Sequence, residues 1–140
     1  MLVSELSDND VTQLEITRDS NEKIVAYLNV SVAASLDAIE QGLSGRSVVP
    51  SQGMLFVLPK RDIPRFWMKE MLFDLDMVWI DQDIIVDITH KVPAPDSKTP
   101  LAELPIYSPT KPVTLVLEIP AGQSESLGLQ VGDKIHFTAN

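Results

Sequence analysis

Two carboxylates sit inside apolar runs. Asp76 lies between Leu75 and Met77, and Glu118 between Leu117 and Ile119. Strand alternation lets both face water. If instead they met in a cleft, burial and like charge would raise one pKa, and the pair could do acid–base work or hold a cation. Close by, Lys60, Arg61, Arg65 and Lys69 crowd four of the eleven basic residues beside Phe66 and Trp67. Such a cluster suits a small anion or carboxylate, with basic side chains as donors and an aromatic ring as a flat wall. A solvated loop is the plainer reading. The chain continues with Glu70, Asp74, Asp76, Asp81, Asp83 and Asp87, with no base among them, as a hairpin with acidic outer positions would. Trp67 and Met68 point to opposite faces if they lie on a strand, so one enters the core and the other lines a groove. A bulge would put both in the core.

Other chemistry finds little material. The chain has no cysteine, hence no disulfide, thiol nucleophile or thiolate metal site. His90 falls on the inward side of its expected strand, which favours a hydrogen-bonded core residue over a ligand. His136 has no paired spacing with it, and a histidine-based zinc site needs three or four ligands. Ser108-Pro109-Thr110-Lys111 matches S-x-x-K but lacks its partner motifs. Gly42-Leu43-Ser44-Gly45-Arg46 is not a nucleophile elbow, because the closing glycine is displaced and a helix precedes it. There is no phosphate loop or dinucleotide fingerprint, and no metal or cofactor is implied.

The elements that must position these residues are mostly short strands. Val11–Arg18 reads as one. In Lys23–Ala33, residues Ile24, Ala26, Leu28, Val30 and Val32 alternate onto a buried face. Ser35 is the expected N-cap of a short helix carrying Leu36, Ile39 and Leu43 at helical spacing, ended by Gly42 or Gly45. Gly53–Leu58 is an apolar strand, and Pro59–Pro64 a turn-rich loop. Phe66–Met68 and Asp76–Ile80 read as further strands. Asp81-Gln82-Asp83 turns into a strand in which Ile84, Val86, Ile88, His90 and Val92 share one face. Five prolines, with Pro112 as a sixth at the end, mark residues 93–112 as a long ordered loop or flap. Thr114–Ile119 is a strand, Ser124–Leu127 one helical turn, and Val131–Lys134 a turn into a last strand at Ile135–Thr138. The expected fold is α+β and mainly β: a compact, single-domain, barrel-like sheet of short strands with one or two short helices.

With 140 residues and 44% hydrophobic content the chain can bury one sizeable core. Residues 1–10 read as a mobile tail and 11–140 as the globular domain. A net charge of −9 argues against nucleic acid as a partner. The first ten residues carry three acids and no base, unlike an export signal. No apolar run reaches the ~18–20 residues of a membrane span. As written the chain is expected in the cytoplasm, or exported if a leader was removed.

Taken together, several blocks resemble the domain-of-unknown-function family 192. They are Gly42-Leu43-Ser44-Gly45-Arg46, Gly53-Met54-Leu55-Phe56-Val57, Phe66-Trp67-Met68-Lys69, Leu75-Asp76-Met77-Val78 with Ile80-Asp81, Leu117-Glu118-Ile119-Pro120-Ala121-Gly122, and Gly132-Asp133. Their order and spacing fit over roughly residues 23–138. The resemblance implies a compact β-rich domain and supports Ser35 as the helix cap, but implies no activity. Where the family reads FWMKNT and then an I-P-L-D run, this chain has Glu70-Met71 and later Phe73-Asp74-Leu75-Asp76. The family motif's Arg46, Trp67, Met68, Lys69, Asp76 and Glu118 carry over. The expected function is therefore a non-enzymatic binding module for a small or extended ligand. Its groove is lined by Trp67, Met68 and Tyr107, with Arg46 and Lys69 as polar anchors and Asp76 and Glu118 as further ligand-binding candidates. The alternative is a hydrolase-like enzyme using Asp76 and Glu118 as its acid–base pair. A third reading makes the Phe66–Met68 segment structural and the domain an interaction module. Nothing in the sequence sets the oligomeric state.

Overall fold

The computed structural model describes residues 3–138. Seven strands are present: β1 (Val11–Thr17), β2 (Ile24–Ala33), β3 (Met54–Asp62), β4 (Leu75–Asp81), β5 (Ile84–Val92), β6 (Val113–Pro120) and β7 (Lys134–Thr138). Two short helices join them, α1 (Leu36–Gln41) and α2 (Gln123–Leu127). The sheet runs β1-β2-β3-β6-β4-β5-β7 and closes into a ring rather than a regular barrel. It is mixed: β2 and β3 pair in parallel through Ser31–Ala33 and Met54–Phe56, and every other pairing is antiparallel. β7 returns beside β1 over Gln13–Thr17, but meets β5 only at Ile84 and Lys134. The mainly-β expectation holds.

Alternation gives the ring two apolar sides. The inner side gathers Leu14, Leu28, Leu55, Val78, Leu117 and Ile119, among others. The outer side of β3, β4 and β6 carries Met54, Phe56, Met77, Trp79 and Val116, covered by the chain around Leu43, Met68 and Met71. β4 and β6 are thus buried on both faces, which explains their near-continuous apolar sequences. The proline-rich residues 93–112 form an ordered strap over the outer side. Leu104 is buried, Ala94 and Tyr107 pack on that core, and Tyr107 bridges to Phe66.

Local chemistry sets the helix start. Ser35 Oγ accepts from the Ala38 amide at 3.1 Å, the expected N-cap. The apolar stripe is another matter: Leu36 is 71% exposed, whereas Leu43 is buried. The helix stops at Gln41, and Gly42 at φ 49° turns the chain, so Leu36 and Leu43 do not share a helix face.

Other expectations are also revised. Phe66–Met68 forms only an isolated bridge, not a strand. β3 runs on through Pro59–Asp62, the expected loop. In β5, Trp79 faces Asp87 and Ile80 faces Ile85, leaving Val86 as an extra residue. That bulge moves the inward role to Ile85 and leaves Ile84 exposed, since a one-residue shift exchanges the faces. Of the segment expected as a tail, residues 3–10 lie against the ring, while Met1 and Leu2 fall outside the described residues. Val3–Glu5 forms a short helical turn, Leu6 is buried, and Asp8 Oδ1 accepts from the Ala34 and Ser35 amides at 2.6 and 2.8 Å.

Candidate functional site

A pocket of about 210 Å³ opens on the outer side of the sheet. One wall is the C-terminal end of α1 and the turn after it, including Ile39 and Leu43. The other is Arg65–Met68 with Met71. Phe56 and Glu118 complete the lining from β3 and β6. Two hydrogen bonds tie the walls together. Ser44 Oγ donates to the Lys69 carbonyl at 2.6 Å, and the Gly45 amide donates to the Glu70 carbonyl at 2.9 Å. Behind the pocket, Phe66 packs edge-to-face on both Phe56 and Trp79, with centroids 5.4 and 5.6 Å apart. Trp79 is anchored in turn by its indole N–H to Thr89 Oγ1 at 2.9 Å. The rigid sheet thus fixes one side of the pocket, and the paired loops form the other.

Glu118 is the unusual member. It is only 5% exposed, yet no hydrogen bond or ion pair reaches it from the described residues. Burial alone pushes its carboxyl up to about 8. At neutral pH the pocket therefore holds a largely protonated carboxylic acid. β3 enters tightly over it: a Cβ on Gly53 would lie 2.8 Å from the Glu118 carbonyl oxygen, so only glycine fits there.

The groove residues named from sequence are partly united. Trp67 and Met68 both line this pocket, Met68 buried and Trp67 43% exposed. Lys69 lies over the Trp67 ring at 5.7 Å and faces an adjoining cavity of about 250 Å³, shared with Asp37, Glu40, Trp67 and Glu70. Tyr107 sits behind the pocket, exchanging backbone hydrogen bonds with Phe66 at 2.8 and 2.7 Å. Arg46 is exposed, makes no ion pair among the described residues and lines neither cavity.

Asp76 lies elsewhere. Across the β4–β6 ladder Met77 faces Glu118 and Asp76 faces Ile119. Directly opposed residues share a face, so Asp76 and Glu118 occupy opposite faces of the sheet. The proposed acid–base pair does not form. Asp76 instead organises one end of the ring. Its Oδ1 accepts from the Lys91 amide at 2.8 Å. Its Oδ2 accepts from the Gly122 amide, the Ser124 amide and Ser124 Oγ at 3.1, 2.9 and 2.6 Å. Burial works to raise its pKa, but these hydrogen bonds outweigh burial and hold it below the usual value. A second β5 irregularity enables the Lys91 contact: Leu75 pairs with Val92 but Met77 with Thr89, and Lys91 adopts φ 51°. His90 is exposed rather than inward, with Nδ1 3.0 Å from Ser124 Oγ. This Asp–Ser–His contact is not a nucleophile: Ser124 is fully buried and its proton points to Asp76.

The sequence did not show what the other acids do. Asp74 accepts from the Ala94 amide, Asp87 from the Thr110 amide, and Asp81 from Arg61 through both carboxylate oxygens. Acids read as outer-face solvation therefore hold the strap and, across β6, the end of β3. Asp133, buried, pairs with Arg18 at 2.8 Å. The joining of the Gly42–Arg46 and Phe66–Glu70 blocks was also invisible in one sequence, because long-range loop contacts leave no periodicity. Among the described residues no cluster of three or more His, Asp or Glu is placed to hold a metal ion, and no helix is long and apolar enough to cross a membrane.

The chain resembles known proteins along almost its full length. A crystal structure from Sinorhizobium meliloti 1021, of a protein named as a candidate transcription regulator, is 27% identical. It aligns over 94% of this chain and 97% of its own with a TM-score of 0.78. A protein of unknown function from Novosphingobium aromaticivorans DSM 12444 is 22% identical and shares the fold, with a TM-score of 0.77 over 96% of this chain and 91% of its own. No curated protein matches the chain. The profile of the uncharacterised ACR family DUF192 matches residues 15–137, from within β1 to within β7, and includes both walls of the pocket. The chain belongs to the DUF192 family.

Proposed function

We propose that this domain is a non-enzymatic binding module that takes a small molecule in the pocket beside Trp67 and Met68. The observation that carries this reading is a preformed, mostly apolar pocket whose two walls are hydrogen-bonded to each other and whose Glu118 carboxyl has no partner among the described residues. Its 210 Å³ is below the ~300–1,000 Å³ of pockets for drug-sized molecules, which suits a metabolite-sized guest. Against catalysis stands the separation of Asp76 and Glu118 onto two faces, which leaves Glu118 without that carboxylate as an acid–base partner in the pocket. A nucleic-acid role for the domain, of the kind the Sinorhizobium meliloti protein's name suggests for that protein, has the net charge of −9 against it.

The test is a fragment screen read by two-dimensional NMR and by tryptophan fluorescence, with Trp79 buried and Trp67 exposed as internal contrast. Bound fragments are expected to shift the amides of Leu43, Ser44, Met68 and Met71 and the Trp67 indole. A Trp67→Ala variant should weaken them. Shifts confined to the Asp76–Ser124 end, or binding indifferent to Trp67→Ala, would overturn the reading.

A further inference from the structure

Resting on that reading, we infer that the pocket's guest is a small monocationic amine with an apolar body, its ammonium pairing with the Glu118 carboxylate. Buried polar groups in proteins are nearly always hydrogen-bonded, and buried carboxylates are paired. The Glu118 carboxyl has no partner among the described residues, and what remains accessible of it opens onto a cavity large enough for a guest. An ammonium supplies donors and charge together, and such charge-assisted hydrogen bonds are about twice as strong as neutral ones.

The surroundings agree in sign. Two other titratable groups face this pocket: Glu40 from α1 and Arg65 from the opposite wall, both exposed. From β3 the lining residue is Phe56, which does not titrate. The C-terminal end of α1, the negative end of its dipole, contributes Ile39 to Gln41 to the lining. In the adjoining cavity three acids, Asp37, Glu40 and Glu70, outnumber Lys69. An anionic guest would find Arg65 as its one cation here, at the rim. The apolar body is set by Leu43, Phe56, Phe66, Met68 and Met71, where aromatic rings and polarizable methionine sulfur accept irregular shapes and neighbouring positive charge.

Binding then carries a proton signature. Below about pH 8 the empty site is protonated. An ammonium guest keeps its proton, and Glu118 must release one to solvent to form the ion pair. Affinity should therefore rise about tenfold per pH unit from pH 6 towards 8 and level off above it. A single proton should be released per guest at pH 6 and almost none at pH 9.

The probes are 2-phenylethylamine, 2-phenylethanol and 3-phenylpropionate, alike in their apolar part and differing in charge. Calorimetry in buffers of different ionisation enthalpy reads the proton count, and Trp67 fluorescence reads the site. The expected result is preference for the amine, with the pH slope and proton release above. Glu118→Gln, neutral like the resting acid and close in shape, should abolish both slope and release while its folding at neutral pH is retained. Arg65→Ala should tighten the amine, because it removes a like charge from the rim. Tighter binding of 3-phenylpropionate, weakened by Arg65→Ala, would overturn the inference in favour of an anion site. A pH-independent amine affinity, or an unchanged proton count in Glu118→Gln, would also overturn it. So would an amine that fails at every pH; the pocket reading would survive that failure if the alcohol or acid still perturbed Trp67, and would fall with it if neither did.

Discussion

Asp76 and Glu118 stand one rung apart on the β4–β6 ladder and face opposite sides of the sheet. Their chemistry diverges accordingly. Asp76 receives four hydrogen bonds and is held in the charged form, whereas Glu118 receives none and is held neutral. The same residue class, a few ångströms of backbone apart, is a brace in one place and an open valence in the other.

Glu118 should make the fold less stable as pH rises. Its carboxyl keeps its proton to about pH 8 when folded but releases it near the ordinary value of 4.5 when unfolded. Between those values the folded state binds the extra proton, so stability falls by roughly 1.4 kcal/mol per pH unit and is flat outside them. Urea unfolding at pH 5, 7 and 9 checks this. Glu118→Gln should match the wild type at pH 5 and exceed it at pH 9. Parallel curves for the two proteins would refute it.

Asp76 should act in the opposite sense. Its folded pKa lies below the unfolded 3.8, so its stabilisation is complete above that value and lost as pH falls through the folded one. Asp76→Ala strands buried donors on Lys91, Gly122 and Ser124, and should cost about 3 kcal/mol or more. Hydrogen exchange should quicken first at Gly122 and Ser124. A change under 1 kcal/mol in urea unfolding, on the order of one ordinary hydrogen bond, would remove Asp76 from this bracing role.

Glu70 adopts φ 58°, a left-handed conformation. Such a backbone costs a side-chain-bearing residue roughly 1–2 kcal/mol, and asparagine tolerates it better. The position's recognisable role is thus backbone geometry: its carbonyl receives the Gly45 amide that ties the pocket walls. Glu70→Asn should therefore raise stability by about 1 kcal/mol and preserve the pocket. A loss of stability would show that the glutamate side chain contributes something the backbone does not.

The N-terminal segment should prove structural. Leu6 is 8% exposed and packs on the inner core, so Leu6→Ala should cost about 2 kcal/mol or more. Removing the first ten residues should lower Tm measurably, because the Asp8 bonds to Ala34 and Ser35 are lost with them. An unchanged Tm would restore the picture of a dispensable tail.

Local signals in the sequence were reliable where one residue's chemistry decides the outcome. The Ser35 cap, the alternation of β2 and a tight turn within Asp81–Asp83 all follow from near neighbours. The errors came where distant chain decides. The inward face of β5 was misassigned because the Val86 bulge answers to β4, and Leu36 because the helix ends before its stripe is complete. For the site, Trp67 and Met68 could be named from amphipathic character. The partnership of Ser44 with Lys69, and the parity that separates Asp76 from Glu118, depend on a register that one sequence does not encode visibly.

The ring also constrains the order in which the molecule can assemble. β1 (Val11–Thr17) is paired on one side by its sequence neighbour β2 and on the other by β7 (Lys134–Thr138), the last strand of the fold. While a ribosome still holds the C-terminal strand, β1 presents a bare edge and Leu14 and Ile16 lack part of their cover. All seven strands must emerge before that edge is sealed, and such long-range pairing is slow because loop closure precedes any contact it gains. Newborn chains of this domain would therefore spend their synthesis time with one sticky strand exposed, a stage at which a net charge of −9 favours repulsion between chains over association.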